Sequence, residues 1–199
     1  MSRNIGQFYL KMSDYHWHIL QVIRGIILAL IMVSGSALAN DSDYKLKAAY
    51  IYQFTKFTHW PKSAFEDVNA SIHICVLGKN PFGNSLKSFS GRKSQNRNLQ
   101  VEYYKLIENV DNCHVVYISK SEQNKLPVIL KHLSKVPVLS VSDIENFAQR
   151  GGIVGFVAKK RKVGIEINVG SSRLADLSLS SKLLEVAKLI DEKHLEETP

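Results

Sequence analysis

Cys75 and Cys113 are the residues best suited to covalent chemistry in this chain. In an oxidising compartment an even, minimal cysteine count points to one disulfide; the alternative is two buried free thiols, since Cys packs as a small hydrophobe. Both readings stand at this stage. If the two lie on neighbouring strands, a bridge would close a loop of roughly 40 residues, worth about 4 kcal/mol on the chain-entropy account. Against a typical stability of about 5–15 kcal/mol, that is enough for reduction to decide whether the domain keeps its shape.

The other reactive residue types form weaker patterns. His59, His73, His114, His132 and His194 include no i, i+4 pair and none pairs with a cysteine at zinc-finger distance, so neither a metal nor another cofactor is expected. Adjacent in sequence, Cys113 and His114 should point to opposite faces of a strand. The turn Gly78 to Gly83 follows a strand, where phosphate loops occur, but Asn84 and Ser85 replace the Lys and Ser/Thr of that motif and Pro81 removes a donor. No G-x-S-x-G elbow occurs after residue 39, and no catalytic residue is assigned. Asp143 and Glu145 read as acids at a helix start, where the dipole favours them. Glu166 is the lone acid of an apolar strand and shares a face with Gly164 and Asn168; that face is either solvated or a site. With Arg173 and Lys182 these residues are the candidate ligand or partner site, Arg173 being suited to an anion. The run Lys159-Lys160-Arg161-Lys162 reads as an exposed hairpin tip, capable at most of peripheral contact with a membrane surface.

The elements that must position these residues follow from periodicity. A helix is expected after an N-cap at Asp41-Ser42-Asp43, ending at His59-Trp60-Pro61. It is apolar on more than one face, which suits burial or an association surface, and Tyr50, Phe54 and Phe57 are the candidate association residues. Strands are expected over Ser71–Leu77, Leu99–Lys105, Val115–Ser119 and Pro137–Val141, with a polar loop from Gly91 to Asn98. Further helices are read after Asn124, over Asp143–Gln149, and from Ser178 with Leu179, Leu183, Val186 and Ile190 inward. Ile153–Val157 and Val163–Val169 form a hairpin. The pattern gives an α/β fold: a single-domain sandwich whose mixed, mostly parallel sheet is flanked by helices, with an antiparallel hairpin near its edge.

Residues 1–39 carry Arg3, Lys11 and Arg24, an apolar run from Gly25 to Val33, and Ala37-Leu38-Ala39 as an A-x-A site. That order is expected of a cleaved secretory signal, the run being about half of what a spanning helix requires. The folded part then covers residues 40–199, frayed from about 192, and is placed outside the cytoplasm. The whole chain carries +8, and without the three Lys/Arg and one Asp of the leader the remainder carries +6. Outside the cytoplasm that charge favours an acidic protein or a membrane surface over nucleic acid.

Taken in order, these segments carry a resemblance. Lys47-Ala48-Ala49-Tyr50-Ile51-Tyr52-Gln53-Phe54-Thr55-Lys56-Phe57 runs to Trp60-Pro61, followed by Ile74-Cys75-Val76-Leu77-Gly78 and Pro81-Phe82-Gly83. Then come Cys113-His114-Val115-Val116-Tyr117-Ile118-Ser119, Pro137-Val138-Leu139-Ser140-Val141-Ser142-Asp143, Phe147-Ala148, Gly151-Gly152, Phe156-Val157, Glu166-Ile167-Asn168 and Leu179-Ser180-Ser181-Lys182-Leu183-Leu184. The set resembles the YfiR-like family of periplasmic proteins over essentially all of residues 40–199. The resemblance implies a small, commonly homodimeric, non-catalytic domain. It would bind the periplasmic sensory domain of an inner-membrane diguanylate cyclase, or of another membrane sensor, and lower cyclic di-GMP. It also implies a Cys75–Cys113 disulfide and a redox-sensitive repression. Ala148 and Gly155 stand where some relatives carry a second cysteine pair. The alternative reading is a periplasmic small-molecule-binding module feeding a membrane sensor.

Overall fold

The computed structural model describes residues 35–159 and 162–190, together with Gln21 and Arg24. Most of the expected leader, hairpin-tip residues Lys160 and Arg161, and the tail from 191 lie outside the described residues. Two compact units divide the chain, residues 1–42 and 43–199. In the first, the described residues are helical.

The long helix α1 spans Gly35–Phe57. It begins ahead of the expected cap at Asp41, because Ala37-Leu38-Ala39 are good helix formers and carry the turn through. Lys47, Ala48, Ile51, Phe54 and Thr55 are buried at helical spacing. The helix stops where Thr58–His59 (β1) pairs antiparallel with Ser178–Leu179 (β9). The Thr55 carbonyl in its last turn and the Thr58 carbonyl of β1 are met by one side chain, Gln95, whose Nε2 donates to them at 2.6 Å and 2.7 Å.

Gln95 sits in the segment expected to be a loop. Instead Lys93–Ser94 (β3) and Arg97–Tyr104 (β4) form a tight hairpin across Gln95 and Asn96, both left-handed with φ of 51° and 62°. That conformation is unfavourable for Gln, and the two bonds to Thr55 and Thr58 hold it there.

The main sheet has the order β10-β8-β7-β6-β5-β2-β4-β3, where β2 is Ile72–Leu77, β5 Val115–Ile118, β6 Leu139–Ser142, β7 Val154–Lys159, β8 Lys162–Asn168 and β10 Lys188–Ile190. Only β3–β4 and β7–β8 pair antiparallel. The sheet is therefore mixed and mostly parallel, with the expected antiparallel hairpin near one edge. Alternation sorts its side chains. Ile72, Ile74, Val76, Val115, Tyr117, Leu139 and Val141 face α1, while Cys75, Leu77, Val116 and Ile118 face helix α2, Leu126–Leu133.

Four further expectations are corrected. Ser119, not Asn124, begins the turn into α2, its hydroxyl accepting from Ser121 N, because a turn Lys120–Lys125 precedes the helix. Asp143–Gln149 forms turns rather than a helix. Ser142 Oγ takes the Ile144 N–H, and Asn146 is left-handed, so the helical ladder never starts. The strand β8 ends in a short helix α3, Val169–Leu174, capped by Asn168. The last helix is brief (α4, Ser181–Glu185) and uncapped by Ser178, because Lys188–Ile190 leaves it to pair in parallel with Glu166–Asn168. Val186, expected inward, is therefore exposed.

Candidate functional site

Three constellations use the fold's non-local contacts. In the first, Cys75 in β2 and Cys113 just before β5 form a disulfide with a Cα separation of 6.0 Å. Neighbouring parallel strands bring the two cysteines together, and both lie in the core under α2. Cys113 also borders a cleft of about 420 Å³, lined in part by Phe65, Glu66, His73, Asp111 and His114.

His114 turns the other way, as the alternation requires. Its Nδ1 accepts the His73 N–H at 3.1 Å and its Nε2 bonds the Ala64 carbonyl at 3.0 Å. Phe65 stacks on the ring at 4.4 Å, and Trp60 and His73 pack around it. Both nitrogens are satisfied only in the neutral form that keeps its proton on Nε2. Burial is the main cause that lowers its pKa to about 4; the nearby His73 and Arg97 also lower it, against the raising effect of the Ala64 carbonyl. Because the unfolded chain takes up this proton near pH 6.5, the neutral form stabilises the fold above that pH. That stability drains away as pH falls toward 4, up to about 3 kcal/mol in all at about 1.4 kcal/mol per pH unit. Chemical unfolding of the native chain is expected to show this slope between pH 6.5 and 4, and His114→Gln to flatten it. An equal slope in both proteins would remove His114 as its source.

The second constellation converges on Asp143, which follows β6 and is buried. Its Oδ2 accepts from Lys47 Nζ at 2.6 Å and from the Tyr44 hydroxyl at 2.9 Å, and its Oδ1 accepts from the Tyr117 hydroxyl at 2.6 Å. Lys120 places its exposed ammonium 3.7 Å away. Burial pushes the carboxyl upward, but hydrogen bonds from Lys47, Tyr117 and Tyr44 outweigh it and hold Asp143 below its usual range. The same geometry pushes Tyr44 up to about 12, through burial and then the Asp143 charge. Asp143 is thus no helix-dipole residue. It is the ionic fastening of α1 to the sheet, with donors on both oxygens. The sequence reading missed Lys47, Tyr44 and Tyr117; the available signal was a lysine at the buried spacing of α1.

The third is the Glu166 face, which is buried rather than solvated. Glu166 accepts from Gln149 Nε2 at 2.7 Å and Lys188 Nζ at 2.9 Å, and Asn168 donates to Ala148 O and accepts from Ser171 N. Arg173 is exposed in a different groove of about 380 Å³, beside His59, Trp60 and Asp176. Lys182 is exposed on α4. The structure therefore joins Glu166 with Asn168 and sets Arg173 in a groove whose lining includes neither.

Of the candidate association residues, Phe54 is fully buried, while Tyr50 and Phe57 are half-buried against the same core. Tyr50 and Phe54 both pack on Phe156. Burial within the chain accounts for Phe54, while Tyr50 and Phe57 keep part of their surface exposed.

At the crossover point between β2 and β5, where α/β sheets commonly hold ligands, the space is filled. Gly78 (φ 94°) lies so close to the next turn that a Cβ there would sit 2.4 Å from Ser121 Oγ. Among the described residues no group of His, Cys, Asp or Glu is placed to hold a metal, and no helix is long and apolar enough to cross a membrane.

Chemically, these constellations offer a reducible bridge, a titrating imidazole and a saturated ionic fastening. All three act on the shape of the domain. No curated protein matches the sequence. A family model described as YfiR/HmsC-like matches residues 44–188.

Proposed function

The chain belongs to the YfiR/HmsC-like family, whose members are periplasmic, regulatory and non-catalytic, and we propose that it is a non-enzymatic periplasmic repressor of an inner-membrane diguanylate cyclase. In this reading the exported part, from about Asn40, acts as a homodimer. It binds the cyclase's periplasmic sensory domain and lowers cyclic di-GMP synthesis on the other side of the membrane. The observation that carries the reading is the extent of the family match, which takes in every element from the buried half of α1 to the start of β10.

Two structural features support action by contact. The Asp143 fastening and the Cys75–Cys113 bridge each hold one face of the sheet to a fixed shape, which a contact surface needs. The bridge also supplies an input in this reading, since its loss would loosen the side under α2. A small-molecule role is less well supported, because Glu166 and Asn168 already bond groups of their own chain. The test is intracellular cyclic di-GMP. Removing the chain is expected to raise it in cells whose membrane cyclase is intact.

A further inference from the structure

Outside those constellations, α1 and the β3–β4 hairpin build a second ordered surface. Tyr52 stacks on Phe89 at 4.8 Å with 23° between the rings. Lys56 Nζ lies 4.3 Å from the centre of the Tyr52 ring, and the Arg92 guanidinium 4.9 Å from that of Phe89. The Tyr52 hydroxyl donates to the Lys93 carbonyl at 3.3 Å, and Thr55 Oγ1 bonds Ser94 Oγ at 3.0 Å. Cations held over rings lose part of their rotamer freedom in advance, which lowers the entropic cost of meeting an anion.

Glu102 on β4 already accepts from the Tyr104 hydroxyl and lies 3.3 Å from His73 Nδ1, and it pairs with none of the cations of this surface. Lys56, Lys87, Arg92 and Lys93 are all exposed. None of them joins an ion pair among the described residues. No Asp or Glu occurs from Val68 to Val101, nor from Tyr44 to Phe65. A solvated face of ordinary composition interleaves both signs; here two consecutive segments supply only one.

Beside it runs a groove of about 450 Å³, lined by Ser90, Gly91 and β4 from Asn98 to Glu102, and reaching across β4 to Ser71 ahead of β2. Leu99 N donates to Arg92 O and Leu99 O accepts from Gly91 N, so odd-numbered residues of β4 aim their main-chain groups outward. Val101 and Tyr103 continue that series, and among the described residues no strand pairs with them on that side. An open edge of this kind accepts an added strand.

We propose that this face binds an acidic, extended polypeptide segment of a partner. Its carboxylates meet Lys56, Lys87, Arg92 and Lys93, and its backbone pairs with the β4 edge at Val101 and Tyr103. A phospholipid surface satisfies the cations but supplies no backbone for the edge, which is why a peptide is the better fit. The inference rests on the repressor reading only for the identity of the protein that carries the segment.

The test titrates the purified full chain with a labelled ten-residue peptide of alternating Glu and Val, followed by fluorescence anisotropy at low salt. Saturable binding is expected, falling as salt is added. The pair Arg92→Glu and Lys93→Glu should weaken it at least tenfold with an unchanged melting temperature, and Lys131→Glu on α2 should leave it intact. Tyr103→Pro, which removes one outward N–H, should weaken it with the cations in place. Absence of binding, binding indifferent to charge reversal, or capture by phosphatidylglycerol vesicles in place of the peptide overturns the proposal. The assay contains no cyclase, so its failure and that of the repressor reading are separable.

Discussion

Replacing Asp143 with alanine is expected to destabilise the chain by about 3–5 kcal/mol, the cost of leaving a buried cation without its counter-charge. Lys47 is buried, and its ammonium finds Asp143 at 2.6 Å. Tyr117 is more deeply enclosed still, with its hydroxyl aimed at the same carboxylate. Removing the acid strands both groups, and each buried unsatisfied donor adds about 1–3 kcal/mol. For a domain of this length the melting temperature should fall by about 10 °C or more. The neutral combination Lys47→Met, Asp143→Leu and Tyr117→Phe removes both buried stranded groups together, leaving the half-buried Tyr44 hydroxyl to water, and is expected to regain most of the loss, as apolar replacements of buried ion pairs commonly do. Scanning calorimetry of the single and triple variants measures this. Equal melting of Asp143→Ala and the native chain would show that the fastening contributes nothing.

The second large effect belongs to the disulfide. Cys75 and Cys113 are 38 residues apart in sequence, and closing such a loop is worth about 4 kcal/mol on the chain-entropy account. Cys75→Ala combined with Cys113→Ala should lower the unfolding free energy by about that amount, with a further small loss for the sulfur volume removed from the core under α2. Dithiothreitol added to the native chain should reproduce most of the loss and add none to the double variant. Denaturant midpoints with and without reductant read this directly. A native chain whose midpoint ignores the reductant would show that the bridge cannot act as an input at accessible potentials.

The parts of the fold set by local alternation were legible. Ile72, Ile74 and Val76 against Cys75 and Leu77 mark a strand buried on two faces, and the same reading found β5, β6 and the β7–β8 hairpin. Errors arose where local pattern and non-local partner disagree. Leu183 and Ile190 fit a helical stripe, but the open edge of β8 offered Lys188–Ile190 a ladder, and main-chain pairing won. Ser142-Asp143 looks like a helix start in any window of ten residues. Its partners Tyr44 and Lys47 lie 99 and 96 residues away, beyond the reach of a periodicity argument. Glu166 was singled out because a lone acid between Ile165 and Ile167 must either face water or find donors. The sequence could not choose, since Gln149 and Lys188 come from a turn and a strand whose positions depend on the finished sheet. The acid-free stretch from Val68 to Val101 is legible in the sequence, whereas the placing of Arg92 over Phe89 beside Tyr52 and Lys56 depends on the folded chain.

Repression by an exported domain is tested most directly by intracellular cyclic di-GMP, measured in cells that keep their membrane cyclase and either contain the chain, lack it, or carry residues 40–199 without the leader. The account predicts a higher level without the chain, return to the original level with the full chain, and no return with the leaderless form. A level unchanged by removal, or restored equally by the leaderless form, would contradict it.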